Sequence, residues 1–101
     1  MTHRIRGAVK LVSKSGKIFG VIIGDDLRDH FFLPSSVRVP GVIAANHSLA
    51  ELNTLRDTYF QSLVQGMLVE FTPRSTDRGM RALNVSVLPS SERSHGESIQ
   101  S

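Results

Sequence analysis

The sequence predicts a mainly β fold, a five-stranded antiparallel barrel with a helix-containing insertion between its third and fourth strands. Three observations lead there. Short β-rich runs separated by Gly, Asp, Ser and Pro recur through the chain. One segment near the middle switches to a helical spacing of apolar residues. Five short strands in a chain of 101 residues suggest a small closed barrel, since closure removes the exposed edges that a flat sheet would leave.

The first strand is read from "RGAVKLV", where polar and apolar residues alternate, and "SKSG" after it is a turn. The second is "KIFGVII". Successive strand side chains point to opposite faces, so Phe19, Val21 and Ile23 share one face and Ile18, Gly20 and Ile22 the other. "GDDLRD" is the hairpin connection, and "HFFLP" is a third strand that Pro34 closes. By the same alternation Phe31 and Leu33 fall on the face of Phe19 and Val21, whereas Phe32 and His30 turn inward to the core.

Past the loop containing Pro40 and Gly41, Leu49, Leu52, Leu55, Tyr59 and Leu63 recur at three- or four-residue spacing. Ser48 followed three residues later by Glu51 forms a capping-box signature, so the helix should start near Leu49. It is expected to pack on the barrel as a lid, with dimerisation through it as the sharper alternative. "GMLVEFT" is the fourth strand, with Val69 and Phe71 facing the core, "PRSTDRG" a turn, and "MRALNVSVL" the fifth strand. One domain is expected over residues 1–89, with the insertion at about 38–62 and a Ser-rich polar tail over 90–101 that is expected to be disordered.

Charge is unevenly spread. The net charge is +3, and residues 1–35 alone account for it, with Arg4, Arg6, Lys10, Lys14, Lys17 and Arg28 against Asp25, Asp26 and Asp29. Basic residues beside aromatic strands suit a polyanionic partner. Arg74, Arg78 and Arg81 flank the last turn and supply further candidate phosphate contacts.

Other classes find little support. No apolar run approaches the roughly 18 residues of a membrane span, and the N-terminal stretch lacks the apolar region of a secretion signal, so no membrane partner and a cytoplasmic location are expected. There is no Cys, and His3, His30, His47 and His95 lack metal-ligand spacing. A hairpin turn accounts for Asp25, Asp26 and Asp29 without catalysis, and no Ser lies in a nucleophile elbow. Neither enzymatic activity nor a cofactor is expected.

The order of motifs also resembles a known family. "GAVKLV" resembles the opening strand of the cold-shock domain, G-x-V-K-W-F, and "KIFGVI" its first ribonucleoprotein motif, K-G-F/Y-G-F-I. "GDD…D" and "HFFLPSSV" stand where that family has P-D-D…D and V-F-V-H-F-S-x-I. "LVQGMLVEF" resembles L-x-E-G-Q-x-V-x-F, and "GMRALNVSVL" resembles G-x-x-A-x-N-V. The likeness covers about residues 5–37 and 63–88.

The resemblance implies an oligonucleotide-binding (OB) barrel that holds single-stranded RNA or DNA on an aromatic, basic face with low sequence specificity. Lys10, Lys17, Phe19 and Phe31 match family positions, and the binding face is expected to comprise Lys10, Lys14, Lys17, Phe19, Val21, Phe31, Leu33, Arg78 and Arg81. Leu11, Val12, Val21, Leu33 and Pro34 stand where the family has Trp, Phe, a second aromatic, His and Phe. Aliphatic side chains offer contact area without a π-face. The alternative reading is therefore a protein-interaction or dimerisation module on the same barrel, acting through the apolar face or the insertion helix.

Overall fold

The computed structural model describes residues 3–89; the expected disordered tail lies outside them. Five strands, β1 (Ile5–Ser13), β2 (Phe19–Gly24), β3 (Asp29–Phe32), β4 (Leu68–Thr76) and β5 (Gly79–Val87), close into a barrel in the order β1-β2-β3-β5-β4. The helix α1 (Leu49–Gln61) lies between β3 and β4, where the insertion was expected. Every ladder is antiparallel except β3 with β5, which pair in parallel through His30↔Met80 and Phe31↔Arg81. Parallel strands cannot be joined by a tight hairpin, and here the insertion and β4 together lie between β3 and β5 in the chain.

The alternation in β2 and β3 is as the sequence predicts. Ile22, His30, Phe32, Val69 and Phe71 are buried inside the barrel. Gly20 is inside too, where a Cβ would run into the Phe32 ring, so that position makes room for the largest core side chain.

Several boundaries differ from expectation: β2 begins at Phe19 rather than Lys17 and β4 at Leu68 rather than Gly66, and two further differences shape the site. Leu33 and Pro34 are not strand, because β3 stops at Phe32 and Pro34 opens a single 3₁₀ turn, Pro34–Ser36. Pro73–Thr76, read as part of a turn, continue β4, and only Asp77 and Arg78 make the connection. A Pro is tolerated in this strand because pairing with β1 ends at Ile5↔Phe71, after which β4 has a neighbour on one side only. Gly79, at φ 114°, then supplies the backbone conformation that a side chain resists.

The Ser48 side chain accepts a hydrogen bond from the Glu51 N–H at 3.2 Å, and the Ser48 N–H donates to Glu51 Oε1 at 2.7 Å. These two bonds satisfy donors that a helix start leaves open. Ser48→Ala is expected to lower stability by about 1 kcal/mol, read as a shift of the urea midpoint at unchanged slope; an unshifted midpoint would show that the cap adds nothing. The helix closes one end of the barrel, as a lid. Phe60 and Leu63 are buried in the core, and the Phe60 ring meets Phe32 edge-on at 5.7 Å. No helix among the described residues is long and apolar enough to cross a membrane.

Candidate nucleic-acid interface

The closed register builds the outer face. Across the barrel the pairs Arg74↔Arg81, Arg81↔Phe31, Phe31↔Val21 and Val21↔Leu11 place five residues in one row over five strands. α1 does not cover this row. Phe31 is 47% exposed, Leu33 41% and Leu11 48%. Phe19 flanks the row on β2, and its ring lies nearly parallel to that of Phe31, with centroids 5.9 Å apart and planes 16° apart. That is an offset-stacked pair, with ring surface open to solvent on one side.

A groove of about 560 Å³ opens beside the pair. Phe19, Phe31, Leu33, Arg78 and Arg81 line it, five of the residues expected from the sequence, together with Met80, Thr76 and Asp77, which sequence reading missed. The hairpin turn explains those three: extending β4 to Thr76 brings the tip of the β4–β5 hairpin against the ends of β2 and β3. Only the register between β3 and β5, a long-range pairing, carries that information.

The remaining expected residues take other places. Val21 belongs to the row but is only 5% exposed, so Leu11 and Phe31 on the adjacent strands cover it and it floors the face instead of touching a ligand. Lys10 is the extra residue of a bulge between Val9 and Leu11, and its Nζ donates to Asp29 Oδ2 at 2.9 Å. Part of its charge is thereby neutralised within the chain. Lys14 and Lys17 are exposed at the β1–β2 connection, on the Phe19 side of the face.

Arg74 and Arg81 stand directly opposite each other on β4 and β5. Like charges in that position repel, and the hairpin is weaker for it unless an anion lies between them.

The acidic hairpin has structural work. His30 is fully buried, and its Nε2 lies 3.0 and 3.1 Å from the two Asp26 carboxylate oxygens. A carboxylate only accepts, so Nε2–H is the donor. Desolvation pushes the Asp26 carboxyl up, but the His30 hydrogen bond, the Arg28 backbone N–H and the charges of His30 and Arg28 outweigh it, and the group sits below its usual value of 3.8. A depressed carboxyl stabilises the fold above the unfolded-state pKa and loses that contribution as pH falls through the folded value. Asp26→Asn keeps an acceptor for His30 and removes the charge. Its urea midpoint is expected to lie below that of the wild type near pH 6, with the difference shrinking as pH falls below the usual carboxyl value of 3.8; a difference that stays constant through that fall would rule out the charge as its source.

The fold is a closed five-stranded barrel of the cold-shock, OB-like type. No family model and no curated protein matches the sequence. A solved structure of Drosophila Unr CSD456, from the cold-shock domains, is similar at 18% identity and a TM-score of 0.54, over 87% of this chain. The alignment spans 28% of the length of that structure. At this identity the likeness is one of fold.

Proposed function

We propose that this chain binds single-stranded nucleic acid, RNA or DNA, on the outer face of its barrel with little sequence preference. The row that places the exposed Phe31, stacked with Phe19, beside the opposed Arg74 and Arg81 is the observation that supports it. Bases stack on the rings whatever their identity, and phosphates neutralise the guanidinium pair. Lys14, Lys17 and Arg78 add positive charge at the two ends of the face.

Fluorescence anisotropy of a labelled oligonucleotide in a salt series tests the reading. Binding is expected to weaken steeply as salt rises, and absence of binding at low salt would end it. The label is needed because the chain has no Trp and its one Tyr, Tyr59, is in α1.

A second reading draws on the same surface. Leu11, Phe31 and Leu33 are all substantially exposed around the covered Val21, an apolar patch of the kind that meets another protein. It predicts a dimer in sedimentation equilibrium that Leu33→Asp dissociates; a monomer at all concentrations would count against self-association.

A further inference from the structure

A second groove, of about 570 Å³, lies between α1, the segment that follows β3 and the far end of β5. Ser35, Arg38, Leu55, Arg56, Asn84 and Ser86 are among the residues that line it, and no carboxylate does. Neither guanidinium has a hydrogen bond or ion pair within the described residues. Arg56 is the more telling. It falls on the helical stripe of Leu52, Leu55, Tyr59, Phe60 and Leu63, four residues from Leu52 and from Phe60, where a helix that docks on a barrel ordinarily carries an apolar side chain. It is half-buried and faces the groove.

The backbone prepares the opposite wall. Between Glu70↔Ser86 and Thr72↔Leu83 the ladder slips, leaving Asn84 and Val85 opposite Phe71. Asn84 takes the left-handed conformation, φ 51°, which Asn tolerates. Val85 is thereby returned to the core while Asn84 stays exposed at the groove. The Arg4 guanidinium holds this bulge, donating to the carbonyls of Glu70 and Asn84 at 3.0 Å each.

Two stretches of chain join this groove to the first. Along β5, Arg81 of the first groove precedes Asn84 of the second by three residues, about 10 Å of strand. Just past the end of β3, Leu33 lines the first and Ser35 the second. We propose that the second groove carries the sugar-phosphate backbone of the same single strand beyond the Phe19–Phe31 stack, with Arg38 and Arg56 neutralising two phosphates. This rests on the function proposed above. It makes the insertion part of the binding surface, and it lengthens the site within the roughly 4–16 nucleotides that one barrel of this type takes.

Anisotropy with oligothymidylates of about 4 and about 12 nucleotides separates the two claims. In the full chain, Arg38→Gln with Arg56→Gln is expected to weaken the longer strand about tenfold near 0.15 M salt and to flatten its log–log salt slope by about 1.4, two contacts at about 0.7 each. Binding of the shorter strand should not change, and Arg38→Lys with Arg56→Lys should keep the wild-type slope. A longer strand whose affinity and slope survive the Gln pair, while Phe19→Ala with Phe31→Ala abolishes binding, overturns the inference and leaves the proposed function standing. If neither strand binds the wild type, both fall. Poly-glutamate that binds through the arginine pair where the longer strand does not assigns the groove to an acidic protein and likewise overturns the inference. Circular dichroism of each variant confirms that the barrel is intact.

Discussion

Phe60→Ala lowers the unfolding free energy by about 3–5 kcal/mol and detaches α1 from the barrel. The side chain is completely buried and lies edge-on against Phe32, which is itself completely buried and backed by the space that Gly20 leaves. Truncation removes a large apolar side chain and leaves a cavity that the closed strands cannot fill by shifting, since each is tied to two neighbours in the ladder order. A domain of this size has on the order of 5–15 kcal/mol in all, so the loss takes a large share of it. Tyr59 stands beside Phe60 and packs against the core. Its fluorescence should therefore change at lower urea than the circular dichroism of the strands. A single coincident transition, less than about 1.5 kcal/mol below the wild type, would show that the helix is only loosely seated. Because Leu55 and Arg56 form one wall of the second groove, the same variant should also lose the salt-slope contribution assigned to that groove.

Phe60 also shows where sequence reading stopped. The stripe Leu49, Leu52, Leu55, Tyr59, Leu63 correctly marks a helix and, through Ser48 and Glu51, its first turn. Within a stripe, however, several residues compete for the buried position, and only the shape of the barrel end decides among them. Leu49 ends up 71% exposed and Phe60 fully buried. Alternation did better in the strands, where a period of two leaves just two choices for each side chain; it placed Phe32 and His30 inside and Phe19 and Phe31 outside. The strand composition of the fourth run was misleading at Pro73, because local turn chemistry says nothing about where a neighbouring strand ends. Features that join distant segments were out of reach. Lys10 meets Asp29 across a strand pairing, Arg74 meets Arg81 only once the hairpin register is known, and Arg38 and Arg56 come together through the packing of α1 against the barrel.

Removing both rings, with Phe19→Ala and Phe31→Ala together, is expected to weaken single-strand binding by between roughly 30-fold and 10⁴-fold. The range is two stacked bases at about 1–3 kcal/mol each, converted at 1.4 kcal/mol per factor of ten. The barrel should still fold, at a modest loss of stability from uncovering Val21, because Phe31 is 47% exposed and neither ring belongs to the core. The effect divides the two readings of this face by its salt dependence. Stacking adds affinity without releasing counterions, so the double variant should show lower affinity at every salt concentration with the log–log slope preserved, whereas Arg81→Gln should flatten the slope by about 0.7 and leave the stacking increment in place. The aliphatic residues around the rings sharpen the test. Leu11 and Leu33 give a base area to rest on but no π-face, so Leu33→Phe is expected to strengthen binding where Phe31→Ala weakens it. If the face serves a protein partner instead, strand binding should be insensitive to all these changes while Leu33→Asp disrupts the complex. The sign of the Leu33→Phe effect on strand affinity therefore decides whether the aliphatic positions are part of a nucleic-acid surface or of a surface for something else.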